Sequence, residues 1–242
     1  MTETSHPQRD AVSEFYDERW KDFQYANRLK CLRSAAILRA LADTRLKEPR
    51  ILDFGCGAGW LTNILSMFGP ATGVELSPVA IETARQRYPH ASFFAGDGRE
   101  WKGDQSFDVV VAQEVLEHFE RREQFFDTVA DLLRPGGILI LTTPNATTLA
   151  AMSASARARS LQQPIENPPT MAQLRAEASP RFLIRRATTI IGGVGSGPIM
   201  YRVFNSKVVW RALDGVLGPG AGEAFAAWLG LGLHLLLVAE RR

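Results

Sequence analysis

Thiols are scarce in this sequence: Cys31 and Cys56 are the two cysteines in 242 residues, and they stand in unlike contexts without metal-ligand spacing. That excludes a disulfide-stapled scaffold and points to a reducing compartment, with the cytoplasm as the expectation. Charge of one sign is also missing. Lys and Arg number 28 against 26 Asp and Glu, leaving +2, too weak a field to draw a polyanion, so no nucleic-acid partner is expected. Long apolar runs are absent too. The stretch 225–239 is shorter than a membrane span and is broken by Gly230, Gly232 and His234, while residues 1–10 lack the apolar centre of a signal peptide. No metal is expected either, because Glu114 and His118 have no third ligand at a recognisable spacing.

What is present is a repeating alternation of short apolar runs and helical patterns. Residues 11–46 place Leu29, Leu32, Ala36, Ile37 and Leu41 at helical spacing, which predicts one or two N-terminal helices. Residues 50–54 then read as a strand ending in glycines. Further strands are predicted at Ala71–Glu75, Ser92–Ala95, 107–112 and 138–142, with helices at 60–68, after Ser77-Pro78 and at 121–133. Strands alternating with helices imply a parallel sheet covered on both faces. Two later apolar runs, 182–191 and 231–239, are predicted to close it as an antiparallel pair. The fold expected is α/β: a Rossmann-like, seven-stranded, mostly parallel sheet. One domain accommodates it, with residues 1–48 as N-terminal helices, 49–145 as the binding core and 146–242 as the remainder, carrying insertions at 146–180 and 192–230.

The chemistry concentrates where the first strand ends. Asp53-Phe54-Gly55-Cys56-Gly57-Ala58-Gly59 is a strand followed by a glycine turn, a form that lets backbone approach a ligand where any Cβ would collide. Its spacing is not the G-x-G-x-x-G of dinucleotide enzymes, whose third glycine falls one residue later to let the helix pack closely. Glu75 ends the second strand, 22 residues after Asp53, and Asp97 in Gly96-Asp97-Gly98 follows the third. Ligands of open α/β sheets bind at these strand ends, so the acids converge on one crevice. Each also has a simpler use, capping the next helix or solvating a turn.

This run resembles the S-adenosylmethionine (SAM)-binding core of class I methyltransferases. The segment 107–118, ending Gln113-Glu114-Val115-Leu116-Glu117-His118, and Arg134-Pro135-Gly136-Gly137 are similar to the branch containing ubiquinone-pathway O-methyltransferases and natural-product enzymes. The resemblance implies that Gly55, Cys56, Gly57 and Gly59 face the methionine part of SAM, with Asp53 near its ammonium and Gln113 beside it. It implies that Glu75 and Leu76 hold the ribose and that Asp97 and Gly98 hold adenine. Trp60 and Trp101 would add apolar cover, and Tyr16 or Trp20 would close the site.

The activity so implied is methyl transfer to a small molecule, foremost to a hydroxyl. Alignment of nucleophile, methyl carbon and sulfur is the main demand on the protein. His118 is the candidate base; a packing role is equally open to it. Glu114, Glu117 and His118 are expected to share one helical face. Two alternatives remain. A macromolecular methyltransferase would carry Asn or Asp, two prolines and an aromatic residue after strand four, where this chain reads Ala112-Gln113-Glu114-Val115. A non-catalytic SAM-binding protein would keep the cofactor residues alone. Met200, Tyr201, Phe204, Val208, Val209, Trp210, Leu213 and Leu217 would suffice for a lipid-like acceptor wall, with packing against the sheet as the simpler expectation.

Overall fold

The computed structural model describes residues 17–18, 27–99, 101, 106–154, 157, 165–191 and 206–242. In chain order the elements are α1 (Arg28–Asp43), β1 (Ile51–Phe54), α2 (Trp60–Leu65), β2 (Ala71–Glu75), α3 (Pro78–Arg87), β3 (Ser92–Ala95), β4 (Phe107–Gln113), a single 3₁₀ turn (Leu116–His118), α4 (Arg122–Leu132), β5 (Leu133–Pro144), α5 (Ala146–Ala150), α6 (Met171–Ala178), β6 (Phe182–Ile190), α7 (Lys207–Leu217), α8 (Ala221–Trp228) and β7 (His234–Arg241). The strands form one seven-stranded sheet in the order β3-β2-β1-β4-β5-β7-β6. Strands β1 to β5 pair in parallel, and β7 runs antiparallel to both β5 and β6. The expected Rossmann-like sheet with a closing antiparallel pair is therefore the observed one.

Alternation along the strands divides the core in two. Ile51, Val109, Val111, Ile140 and Leu236 face Ile37, Ala40 and Leu41 of α1 and Leu61 and Leu65 of α2. Leu52, Val110, Leu139, Leu141, Leu235 and Leu237 face the other way, onto Phe125, Phe126 and Val129 of α4 and Leu174 and Ala178 of α6. Helix ends are capped locally: the side chains of Asn27, Ser77 and Asn145 accept from the first turns of α1, α3 and α5, and Thr170 with Gln173 forms a capping box on α6.

Three details depart from the sequence reading. Strand β5 begins at Leu133, before Arg134-Pro135-Gly136-Gly137, and that turn becomes a register shift between Phe107 and Val109 of β4. Arg134 Nε donates to Asp108 Oδ1 at 2.6 Å and ties the turn to β4, so this stretch is structural and lies at the sheet end away from the glycine loop. The expected helical face of Glu114, Glu117 and His118 does not form. Glu114 has φ 59° and only one 3₁₀ turn follows, because the chain reverses there to enter α4.

The third detail lies in the segment 192–230, of which residues 206–230 are described. Helix α7 lies on α8, which lies on β6. A Cβ at Gly222 would sit 2.7 Å from the Trp210 backbone, so the glycine permits that close crossing. Val208, Val216 and Leu217 stay exposed. Met200, Tyr201 and Phe204 lie outside the described residues, as do Tyr16 and Trp20. No described helix is long and apolar enough to cross a membrane.

Candidate functional site

The strands that are apolar along their length turn polar at their C-terminal ends, and on one face these ends make a row. Asp53 of β1, Gln113 of β4, Thr142 of β5 and His234 of β7 continue the alternation of the residues facing α1 and α2. The helices above follow the same gradient: α1 presents Arg33 and Ser34 one turn before Ile37, and α2 presents Thr62 beside Leu61 and Leu65. Three of these strand ends meet a polar helix residue, His234 lying 3.2 Å from Arg33 Nη1, while Thr142 meets Glu114. Thr62 Oγ1 donates to Asp53 Oδ2 at 2.6 Å, and Gln113 Nε2 donates to Ser34 Oγ at 2.9 Å.

The glycine loop is shaped as the motif requires. Gly55, Gly57 and Gly59 all have positive φ. A Cβ at Gly55 would lie 2.6 Å from Val115 Cγ2, and one at Gly59 would lie 2.7 Å from Phe93 and 2.8 Å from Ala84. These are positions where only glycine combines the left-handed backbone with the space left. Gly59 also opens α2, so the loop delivers a helix N-terminus to the crevice.

Two carboxylates flank that loop. Asp53 is 1% exposed, and burial raises its pKa from 3.8 to about 6 against the hydrogen bond from Thr62. Glu75 is buried and its pKa is likewise raised by burial, opposed by backbone donors. Its Oε2 accepts from Gly57 N at 3.0 Å and its Oε1 from Ser77 N at 3.1 Å, so it braces the loop to the start of α3. Ser77 Oγ in turn bonds Asp17, which brings the N-terminal segment to within one residue pair of Glu75. Cys56 is buried, and burial pushes its thiol well above the ordinary range, as suits a loop-filling residue rather than a nucleophile. Trp60 is half-buried beside the α1 face of the core.

Beyond β3, Gly98 lies against the Phe54 ring, where a Cβ would collide. Asp97 is held by Arg99: the backbone N donates at 2.9 Å, Nε at 3.0 Å and Nη2 at 2.6 Å. Its carboxylate is thus engaged by a neighbour two residues on, as the simpler turn reading has it. Trp101 packs edge-on to Phe94, with ring centroids 4.8 Å apart.

Glu114 and the Glu117–His118 pair serve opposite faces of the sheet. Glu114 Oε1 accepts from Thr142 Oγ1 at 3.1 Å, on the α1 side. Glu117 Oε2 accepts from Thr143 Oγ1 at 2.9 Å, the residue that faces the other way. His118 Nδ1 lies 2.8 Å from Ile165 O, and Glu117 O accepts from Asn167 N. Arg122 completes this tie, donating to Asn167 O at 2.9 Å and to both carboxylate oxygens of Glu177. Burial, and next the charge of Glu114, raises the pKa of Glu117 well above its ordinary value. Glu114 moves down despite burial, because His234 and Arg33 face it.

The structure thus gathers Asp53, Gly55, Gly57, Gly59, Glu75 and Gln113 around one crevice, and brings Arg33, Ser34, Thr62, Thr142 and His234 to the same edge. The last five carry no motif. Their signal is weak but present: a polar residue ending each apolar strand or opening the inner face of each helix. Among the described residues no three His, Cys, Asp or Glu side chains converge as a metal site would need.

Comparison with known proteins agrees with this architecture. Residues 24–179 match the family model described as a methyltransferase domain. The mitochondrial ubiquinone biosynthesis O-methyltransferase of Schizosaccharomyces pombe is 31% identical over 149 residues, 55% of this chain and 53% of that protein. A trans-aconitate 2-methyltransferase of Escherichia coli is 32% identical over 117 residues, 47% of this chain and 46% of that protein. The chain spans about half the length of the curated relatives it matches. The N-methyltransferase NodS of Bradyrhizobium japonicum, solved with S-adenosyl-L-homocysteine (SAH), has a TM-score of 0.63 at 19% identity, covering 96% of this chain and 98% of that one. Magnesium protoporphyrin IX methyltransferase of Synechocystis, with bound SAH, has a TM-score of 0.62 at 16% identity, covering 97% and 99%. At these identities the solved structures share the fold.

Proposed function

The chain belongs to the methyltransferase-domain family, of the class I SAM-dependent methyltransferases, and on that premise we propose that it binds SAM and passes its methyl group to a small-molecule acceptor, foremost to a hydroxyl oxygen. The observation that carries the proposal is Asp53: a fully buried carboxylate, pushed up to about 6, beside three glycines of positive φ, of which Gly55 and Gly59 pack too closely on Val115, Phe93 and Ala84 to admit a Cβ. The hydrogen bond from Thr62 and the charge of Lys30 offset only part of that burial cost, and the ammonium of a bound amino-acid group would offset more. The donor set therefore fits the cofactor.

Asp53, Gly55, Cys56, Gly57, Gly59 and Gln113 would hold its methionine part, Glu75 and Leu76 its ribose, Asp97 and Gly98 its adenine, and Trp60 would add apolar cover. Bound there, it supplies a methyl group on a good leaving group, so the protein's own task is to align the acceptor and keep water out. The engagement of Asp97 by Arg99 means that adenine binding shares or displaces that ion pair.

Small-molecule transfer is supported by the relatives, an O-methyltransferase of ubiquinone biosynthesis and a trans-aconitate methyltransferase. Acceptor selection would fall to residues 146–180 and 192–230. The resemblance offers His118 as the receiver where the acceptor must lose a proton; its Nδ1 lies 2.8 Å from Ile165 O. Calorimetry with SAH tests the proposal. Micromolar binding by the wild type, lost in Asp53→Ala and Glu75→Ala variants that still unfold cooperatively, is expected; binding unchanged in both variants would overturn the site.

A further inference from the structure

Beyond the residues assigned to the cofactor, one cluster on the same polar row is built with more care than packing needs. His234 is the first residue of β7, 8% exposed, and faces α1 with Leu236. Its Nε2 lies 3.0 Å from Glu114 Oε2, and Arg33 Nη1 lies 3.7 Å from that same oxygen. Glu114 itself is fixed twice more, by Thr142 Oγ1 and by its own N–H on Thr142 O at 2.9 Å. It holds a left-handed backbone, φ 59°, which costs a non-glycine residue about 1 kcal/mol or more and persists where the surroundings dictate it. Two polar atoms of the cluster, His234 Nδ1 and Arg33 Nε, are buried without a partner. Buried polar atoms are rarely left so, and here one is a ring nitrogen and the other a donor.

The remaining groups define what these atoms want. His234 Nε2 faces two groups, Glu114 Oε2 at 3.0 Å and Arg33 Nη1 at 3.2 Å; the carboxylate is the nearer and can only accept, so the ring proton is assigned to Nε2. Nδ1 is then the basic nitrogen. A carboxylate orienting one imidazole nitrogen so that the other can take a proton is the arrangement of a general base. Its place is suitable. His234 pairs with Pro144, two residues beyond Thr142, which pairs with Gln113, so its ring stands at the outer end of the same sheet face as Asp53 and Gln113.

We infer that His234 is the proton acceptor for a hydroxyl-bearing methyl acceptor, that Glu114 is its positioning residue, and that Arg33 Nε donates a hydrogen bond to that substrate. This rests on the methyltransferase reading. The hydroxyl proton passes to His234 Nδ1, the oxygen lone pair forms the bond to the methyl carbon, and the electron pair of the breaking S–C bond stays on sulfur. The imidazolium so formed is balanced by Glu114 and returns its proton to water after product leaves. His118, tied to the backbone of residue 165 on the other face, then positions that loop.

Two measurements test it on the full chain. Nitrogen NMR of ¹⁵N-histidine protein distinguishes protonated from pyridine-type ring nitrogens, with His234 assigned by His234→Gln. A protonated Nε2 and a pyridine-type Nδ1 are expected at neutral pH; the opposite tautomer would overturn the proposal. Methyl transfer is then followed with SAM and two phenols, phenol and the far more acidic 4-nitrophenol. His234→Gln keeps a donor for Glu114 but no basic nitrogen, so it should lose roughly a hundredfold to a thousandfold on phenol and under about threefold on 4-nitrophenol. SAH affinity should stay within about twofold. Glu114→Gln should lower kcat on phenol by about tenfold with KM unchanged. Equal losses on both phenols, or the selective loss appearing in His118→Gln instead, would overturn it. Absence of SAH binding by the wild type would sink the methyltransferase reading, and the tautomer result would stand apart from it.

Discussion

Asp53 should make the unliganded protein less stable than it could be. Its carboxyl ordinarily titrates at 3.8 and in the fold at about 6, so the folded state binds the proton more tightly than the unfolded one. For a raised acid, stability is greatest below the unfolded pKa and declines as pH climbs through 4 to 6. Above about 7 the full penalty applies, about 3 kcal/mol at 1.36 kcal/mol per pKa unit. Asp53→Asn removes the charge while its Oδ1 can still accept from Thr62 Oγ1. A buried amide N–H without a partner takes back about 1 kcal/mol at every pH. Urea unfolding should therefore find the variant about 2 kcal/mol more stable than wild type at pH 8, and about 0.5 kcal/mol less stable near pH 4. Glu75, whose charge helps to raise Asp53, is relieved by the same substitution, which adds to the variant's gain at pH 8. The variant should at the same time lose SAH binding, because the amide offers an ammonium no charge. A stability difference that is the same at pH 4 and pH 8 would refute the reasoning, whatever its sign.

Other consequences follow from the same geometry. Gly59→Ala places a Cβ 2.7 Å from Phe93 and strains a φ of 79°, so a loss of about 2–4 kcal/mol is expected in urea unfolding; trimming the ring in a Gly59→Ala, Phe93→Leu double variant should recover part of it. Arg122→Ala leaves Glu177 without its bidentate partner and Asn167 O without a donor, at a cost of about 3–5 kcal/mol, and amide exchange over residues 165–170 should quicken. Glu75→Gln keeps acceptor capacity for one of the two N–H groups now bonded, so it should fold but bind SAH at least tenfold more weakly by calorimetry. If an ammonium docks on Asp53, SAH binding near pH 6 should release about half a proton, visible as a buffer-dependent binding enthalpy.

The parts of the fold legible in the sequence are those set by local rules. Strand and helix periodicity placed all seven strands to within about five residues, and the glycine loop with its flanking acids was legible because these residues occupy the ends of consecutive strands. Errors arose where tertiary context outranked local pattern. The run from Glu114 to His118 has helical spacing, yet the sheet demands a reversal immediately after Gln113, and Glu114 accepts a left-handed backbone to make it. The Pro-Gly-Gly turn looked like an end to α4, yet Arg134 and Asp108 fold it into the strand pairing.

The acceptor side of the crevice is another matter, because its partners are remote in the chain. Arg33 and His234 are 201 residues apart, and Ser34 and Gln113 are 79 apart. No spacing rule joins such pairs. What does join them is the order of the strands. With β7 inserted between β5 and β6, the first residue of the last strand comes to lie beside the end of the fifth, Pro144 opposite His234, and under the first turns of α1. A lone histidine that interrupts an apolar C-terminal run thus reads in the sequence as a defect in a strand. In the fold it is where the polar row begun by Asp53 ends, along one edge of one sheet face.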